Sequence, residues 1–184
     1  MADAGTYRAI VCTALGSIEQ LELRRLARAP LPPNSVRVAI KAAGLNFPDV
    51  LMVRGAYQHR PALPFVPGLE AAGIVSEVAG EPASVAVGDR VIVQMRTGAY
   101  AEEAVVGAEQ VRPMPPDFTF AEAATFLVAH LTAYHALKSR ADLKAGQTLL
   151  VLGAAGGVGL AALQLGKLLG ARVKGLACRA HQSG

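Results

Sequence analysis

Residues 149–159, Leu149-Leu150-Val151-Leu152-Gly153-Ala154-Ala155-Gly156-Gly157-Val158-Gly159, decide the fold. An apolar run of strand length passes into a glycine turn, and the turn opens a helix. The free N–H groups and dipole at such a helix start attract an anion. The dinucleotide fingerprint G-x-G-x-x-G is met here as Ala154-x-Gly156-x-x-Gly159, with alanine in the first place. Gly156 would let the backbone approach a pyrophosphate, and Gly159 would let helix and strand pack closely. No Gly-Lys-Ser/Thr follows, so the turn is not a P-loop. The alternative is a glycine-rich turn that serves tight packing alone.

The flanks supply context. Gly156–Leu169 reads as a helix and Ala171–Ala177 as a second strand, which makes a strand–helix–strand unit. NAD sites place an acid near the end of that second strand to hold the ribose 2′-hydroxyl. Here the region reads Gly175-Leu176-Ala177-Cys178-Arg179, with no acid, and Arg179 could instead pair with a 2′-phosphate. NADP(H) is favoured over NAD(H), the alternative for Arg179 being a solvated side chain in a fraying tail.

Upstream, Thr119-Phe120-Ala121-Glu122 is a helix-start signal, with Ala-rich sequence to about Ala141 and a turn at Leu143–Gly146 before the strand at Thr148–Leu152. The first 115 residues are different in kind. Tyr7–Thr13, Gln20–Leu26, Ser35–Ala42, Ala71–Val78, Asp89–Met95 and Tyr100–Val106 read as short strands between Gly/Pro turns, a pattern that predicts a barrel-like β unit. Ser35–Lys41 alternates apolar and polar residues, as a half-buried strand does. Asn46-Phe47-Pro48-Asp49 interrupts the strands with a helix start. Pro113, Pro115 and Pro116 mark the change of pattern, so the expected domains are 1–117 and 118–184.

Composition narrows the classes. The chain has 184 residues, 52% hydrophobic and 17% charged, too apolar for disorder. Its net charge of +4 is unevenly spread: residues 1–142 carry 13 Lys+Arg against 14 Asp+Glu, whereas residues 143–184 carry five basic residues and no acid. That tail lacks any aromatic residue for base stacking, which argues against a nucleic-acid face. The uncharged run Leu149–Gly166 is broken by five glycines and reads as strand, turn and helix rather than a membrane span. Two cysteines, Cys12 and Cys178, make neither a disulfide framework nor a zinc lobe, so a reducing, cytoplasmic setting without a signal peptide is expected.

Taken together, these segments resemble the medium-chain dehydrogenase/reductase superfamily, and more narrowly its NADPH:quinone oxidoreductase (zeta-crystallin-like) branch. The matching stretches are Ala42–Asp49, Pro64–Gly73, Val87–Val91, Leu131–Tyr134 and Ala154–Gly159. The resemblance implies a mixed fold: a GroES-like β-barrel domain, then the first β-α-β of a Rossmann fold, an incomplete α/β domain. Zinc-dependent relatives carry a Cys ligand near Leu45-Asn46-Phe47 and a His between the glycine and glutamate that here flank Leu69. Neither donor is present, so a zinc-free protein is expected. The implied reaction is hydride transfer from NADPH to a quinone or enone, with enoyl-thioester or alkenal reduction as the alternative within the superfamily.

By resemblance, Asn46 and Asp49 line the nicotinamide and substrate cleft, Tyr57 flanks it, and Thr132 contacts the cofactor. Ala155, Gly156, Gly157, Val158 and Gly159 would cradle the pyrophosphate, with Arg179 at the 2′-phosphate. Each has a plainer reading: Asn46 and Asp49 as helix caps, Tyr57 as a surface residue, Thr132 bonded to its own helix. His130 and His135 read as packing residues and His59 as solvated. Family members run to nearly twice this length, and the later strands, including the edge through which family dimers pair, are missing. The expectation is therefore a truncated chain that binds NADPH weakly and turns over little quinone, or a non-catalytic remnant. An RNA-binding role, as in some crystallin-type relatives, is the least favoured reading.

Overall fold

The computed structural model describes residues 5–80 and 85–177, which form two compact units divided between Thr125 and Phe126. Arg179 lies outside the described residues.

The first unit is built on strands. β1 (Thr6–Cys12) and β2 (Leu21–Ala27) form an antiparallel ribbon. β3 (Ser35–Ala43), β4 (Glu70–Val78), β5 (Arg90–Gln94), β6 (Glu103–Gly107) and β7 (Val111–Pro113) make an antiparallel sheet in the order β6-β3-β4-β5-β7. Single bridges at Ala9–Ala101 and Cys12–Phe65 join the ribbon to the rest of this unit. β-Branched residues fill the core of this unit: Val36, Val38, Val75, Val91, Val93 and Val111.

Two local readings change here. Ser35–Val38 is buried on both faces rather than alternating. Arg37 is the reason: its guanidinium bonds Glu103 at 2.8 Å and the Ala29 carbonyl at 2.7 Å, so the polar face is roofed by the segment after β2. A buried charge is tolerated when it is paired in this way. The proline stretch, expected to mark the domain boundary, is tied to the first unit. Arg90 donates to the carbonyls of Pro116 at 3.1 Å and Phe118 at 2.6 Å, and stacks 5.0 Å from the Phe120 ring. A short helix, Phe120–Ala124, then packs its small buried residues Ala123 and Ala124 against β3 and β4. The first unit accordingly runs on to Thr125, eight residues beyond the break expected after residue 117. With α1 (Phe47–Val53) preceding it in the chain, this short helix is α2.

The second unit contains α3 (Leu127–Tyr134), β8 (Thr148–Leu152), α4 (Gly157–Leu168) and β9 (Arg172–Leu176). β8 and β9 are parallel and in register from Thr148–Arg172 to Leu152–Leu176. The Ala-rich helix expected from 119 to 141 is divided. Thr125 returns its hydroxyl to the carbonyls of Ala121 and Glu122, ending α2. Beyond α3 the coil widens over His135–Arg140, where the Ala141 N–H reaches back five residues to Ala136. Among the described residues no helix is long and apolar enough to cross a membrane.

Candidate functional site

In the first unit, helix α1 organises a polar cluster. Asn46 sits at its cap with extended backbone, Pro48 occupies the first turn, and Asp49 lies three residues beyond the cap. Asp49 Oδ2 accepts the Asn46 N–H at 2.8 Å and the Tyr100 hydroxyl, also at 2.8 Å. The Asn46 side-chain amide donates to Glu70 Oε1 at 3.0 Å. Asp49 and Glu70 are 2% and 1% exposed, whereas Asn46 and Tyr100 are half-buried, so the two carboxylates anchor side chains that reach toward the surface. Asp49 caps α1 through the Asn46 N–H, and the Asn46 side-chain amide is held by Glu70 at the start of β4.

Glycines make room for the cluster. A Cβ at Gly44 would overlap the Ala124 carbonyl and stand 2.8 Å from Glu70 Cγ. Gly68 has φ +103°, and a Cβ there would stand 2.7 Å from the Tyr100 ring. Burial raises the Asp49 carboxyl above its ordinary range, and the Asn46 and Tyr100 hydrogen bonds only partly offset this. The Gly68 N–H adds electrostatic support without reaching hydrogen-bond geometry, which leaves Asp49 Oδ1 buried and unpartnered. The Tyr100 phenol is pushed far up, first by burial and then by its bond to the Asp49 carboxylate. It stays protonated and acts as a fixed donor.

Asn46 and Asp49 are therefore brought together, and Tyr57 is not part of their hydrogen-bonded cluster. Tyr57 is half-buried and packs, with Leu69, against Cys12, Met52, Val53 and Phe65. His59 is also half-buried rather than solvated. The cluster includes two residues that sequence reasoning passed over, Glu70 and Tyr100. Glu70 had a signal: an acid opening the apolar strand Ala71-Ala72-Gly73-Ile74-Val75 needs a partner. Tyr100, 51 residues from Asp49, had none.

The donor set does not fit zinc. Leu69 offers no ligating atom, and among the described residues no group of three or more His, Cys, Asp or Glu side chains could hold a metal ion. Cys12 is buried, donates to the Ala14 carbonyl, and is not part of the Asn46 cluster.

In the second unit, the glycines of the 153–159 turn separate into two kinds. Gly153 has φ +69° and its carbonyl receives the Gly156 N–H at 3.0 Å. A Cβ at Gly159 would overlap that same Gly153 carbonyl and stand 2.9 Å from Ala154 Cα. These two are demanded by the turn itself. Gly156 and Gly157 are not: an added Cβ would meet only ordinary contacts, at 3.5 Å and 3.9 Å. The first intrahelical bond of α4 runs from Leu160 N–H to the Gly156 carbonyl, so the amides of Gly157, Val158 and Gly159 have no acceptor in their own helix. Ala155, Gly156, Gly157 and Val158 are exposed.

Thr132 is exposed on α3 and donates its hydroxyl to the Val128 carbonyl at 2.6 Å, which leaves its oxygen lone pairs for another donor. His130 stacks on Phe126 at 4.1 Å and meets Gln164 of α4 at 3.1 Å, a packing role, whereas His135 is exposed.

Residues 32–116 match the alcohol dehydrogenase GroES-like domain family. The chain is 41% identical over 172 residues to a quinone oxidoreductase-like protein 2 homolog from Nematostella vectensis, covering 92% of this chain and 47% of that protein. Among solved structures it resembles the quinone oxidoreductase from Thermus thermophilus, studied also in complex with NADPH. The TM-score is 0.83 and the identity 37%, over 94% of this chain and 54% of that one. The CurK enoyl reductase is similar too, with TM-score 0.83 and 31% identity, over 96% of this chain and 55% of that one. The chain thus spans about half the length of the relatives it matches.

Proposed function

We propose that this chain, which is similar to quinone oxidoreductases and enoyl reductases of the medium-chain dehydrogenase/reductase type, serves NADPH-dependent hydride transfer to a quinone or activated alkene without zinc. One observation carries the reading: Gly156 and Gly157 lack any internal reason to be glycine, and they stand where a pyrophosphate would approach unpaired amides. When bound, the dihydronicotinamide supplies the hydride.

The chain's own residues then bind and orient. The amides of Gly157, Val158 and Gly159 hold the pyrophosphate, with Ala155 and Gly156 forming the turn beside it, Arg179 proposed at the 2′-phosphate and the Thr132 oxygen accepting a bond from the cofactor. Asn46, fixed by Glu70, is the polar group that positions nicotinamide and acceptor. Asp49 is buried, so its part is to hold Asn46 and Tyr100 in place rather than to touch the acceptor. Tyr57 supplies an aromatic wall for the acceptor. Since the Leu69 position lacks a ligand atom, no step passes through a metal. The kinship with CurK favours an enoyl acceptor as the second reading.

The test is acceptor-dependent NADPH oxidation, with a quinone and an enoyl thioester compared. We expect oxidation of NADPH in preference to NADH, at a rate indifferent to EDTA and to added zinc. Activity that disappears with EDTA and returns with zinc would overturn the metal-free reading.

A further inference from the structure

We propose that the cavity beside Tyr57 selects conjugated acceptors that carry an anionic substituent, with Arg96 and His59 as specificity-determining residues. The assignment rests on the reductase reading above and concerns which acceptor that site prefers. The cavity lies wholly within the first unit and measures about 290 Å³. Sites for small organic ligands start near 300 Å³, so this one suits a one- or two-ring group.

Its lining has two parts. Met52, Leu69 and Met95 form an apolar floor, continuous with the packing around Cys12 and Phe65. Met52 belongs to α1, the helix capped by Asn46 and Asp49, and the Met95 N–H bonds the Leu69 carbonyl at 2.9 Å. The floor is thereby fixed on the same elements that hold the polar cluster. Thioether and aliphatic surfaces of this kind accept the face of a planar ring. The walls are Tyr57, Gln58, His59 and Arg96.

Those walls are rich in donors and contain no acid. None of the four side chains makes a hydrogen bond or ion pair with the described residues of the protein. Other cavities of the first unit differ in this respect. Around one, Arg8 is neutralised by Glu102 at 2.5 Å, and around another Arg37 is neutralised by Glu103 at 2.8 Å. Beside Tyr57, by contrast, a guanidinium borders an apolar floor with its donors unspent among the described residues, and the ligand that uses them is an oxyanion joined to a flat apolar body.

The experiment compares naphthoquinone sulfonate with unsubstituted naphthoquinone, by equilibrium titration of the full chain without NADPH, and in parallel by turnover with NADPH. Wild type should bind the sulfonate more tightly than the neutral quinone, and less so as salt rises. R96A should weaken the sulfonate about tenfold and leave the neutral quinone within about twofold, whereas R96K should recover most of the loss. Because Arg96 is exposed, these variants should fold as wild type does. Equal affinity for the two quinones in wild type, or equal effects of R96A on both, would overturn the proposal. Arg96-dependent binding of the sulfonate without turnover would count against the reductase reading and leave the pocket standing.

Discussion

Replacement of Gly159 by alanine will loosen the strand–turn–helix of the second unit and remove its capacity for a nucleotide. The added methyl would overlap the Gly153 carbonyl and stand 2.9 Å from Ala154 Cα, both backbone groups with no side-chain freedom to yield. Overpacking of this sort costs about 1–3 kcal/mol. Amide hydrogen exchange should read it as acceleration of about ten- to a hundredfold across β8, α4 and β9, with the valine core of the first unit as internal reference. The comparison is G156A, where the new methyl meets nothing closer than 3.5 Å and the backbone, at φ −81°, is open to any residue. G156A should exchange like wild type and still bind NADPH less well. Wild-type exchange in G159A would contradict the packing argument.

The second large effect concerns Asp49. D49A leaves the Asn46 N–H and the Tyr100 hydroxyl without their acceptor, and a buried donor left unsatisfied costs about 1–3 kcal/mol. D49N keeps an acceptor of the same shape and removes a charge that burial disfavours, so it should be much the milder change. The pH dependence follows from the direction of the shift. A carboxyl whose native value is raised binds its proton more tightly in the fold than in the unfolded chain. Its contribution to stability is complete below the ordinary aspartate value, about pH 4, and is lost as pH rises through the raised native value. The difference in stability between wild type and D49N should therefore move against wild type as pH climbs through that window. Y100F removes a bond that favours the charged carboxylate, and it should carry the Asp49 titration to still higher pH, as followed by carboxyl carbon NMR. A titration unmoved by Y100F would contradict the bond's role.

Local patterns were legible where a few neighbouring residues set the outcome. Thr119 and Glu122 cap α2 as their spacing predicts, with Glu122 Oε2 accepting the Thr119 N–H at 2.8 Å. The glycine turn opens α4 where the fingerprint places it, and the strand after it pairs in parallel with the strand before. Asn46 and Asp49 were recognisable because both belong to one helix start. What stayed hidden depends on pairing between distant segments. Arg37 looked like the polar half of an alternating strand, and only its contact with Glu103, 66 residues away, makes that face interior. The bond from Tyr100 to Asp49 is equally remote, since it requires α1 and the loop before β6 to meet. Arg90 is a third instance: the prolines suggested a break after residue 117, whereas one guanidinium 26 and 28 residues upstream secures Pro116 and Phe118 to the first unit.

The most direct test of the central claim, that the 155–159 turn cradles the pyrophosphate of NADPH, is a backbone amide NMR titration of the chain with that nucleotide. The account predicts saturable shifts at Gly156, Gly157 and Val158 that are larger with NADPH than with NADH, are produced at the same amides by inorganic pyrophosphate alone, and are diminished in G156A. Amide resonances at these positions that do not move at millimolar NADPH, or that move equally in G156A, would contradict it.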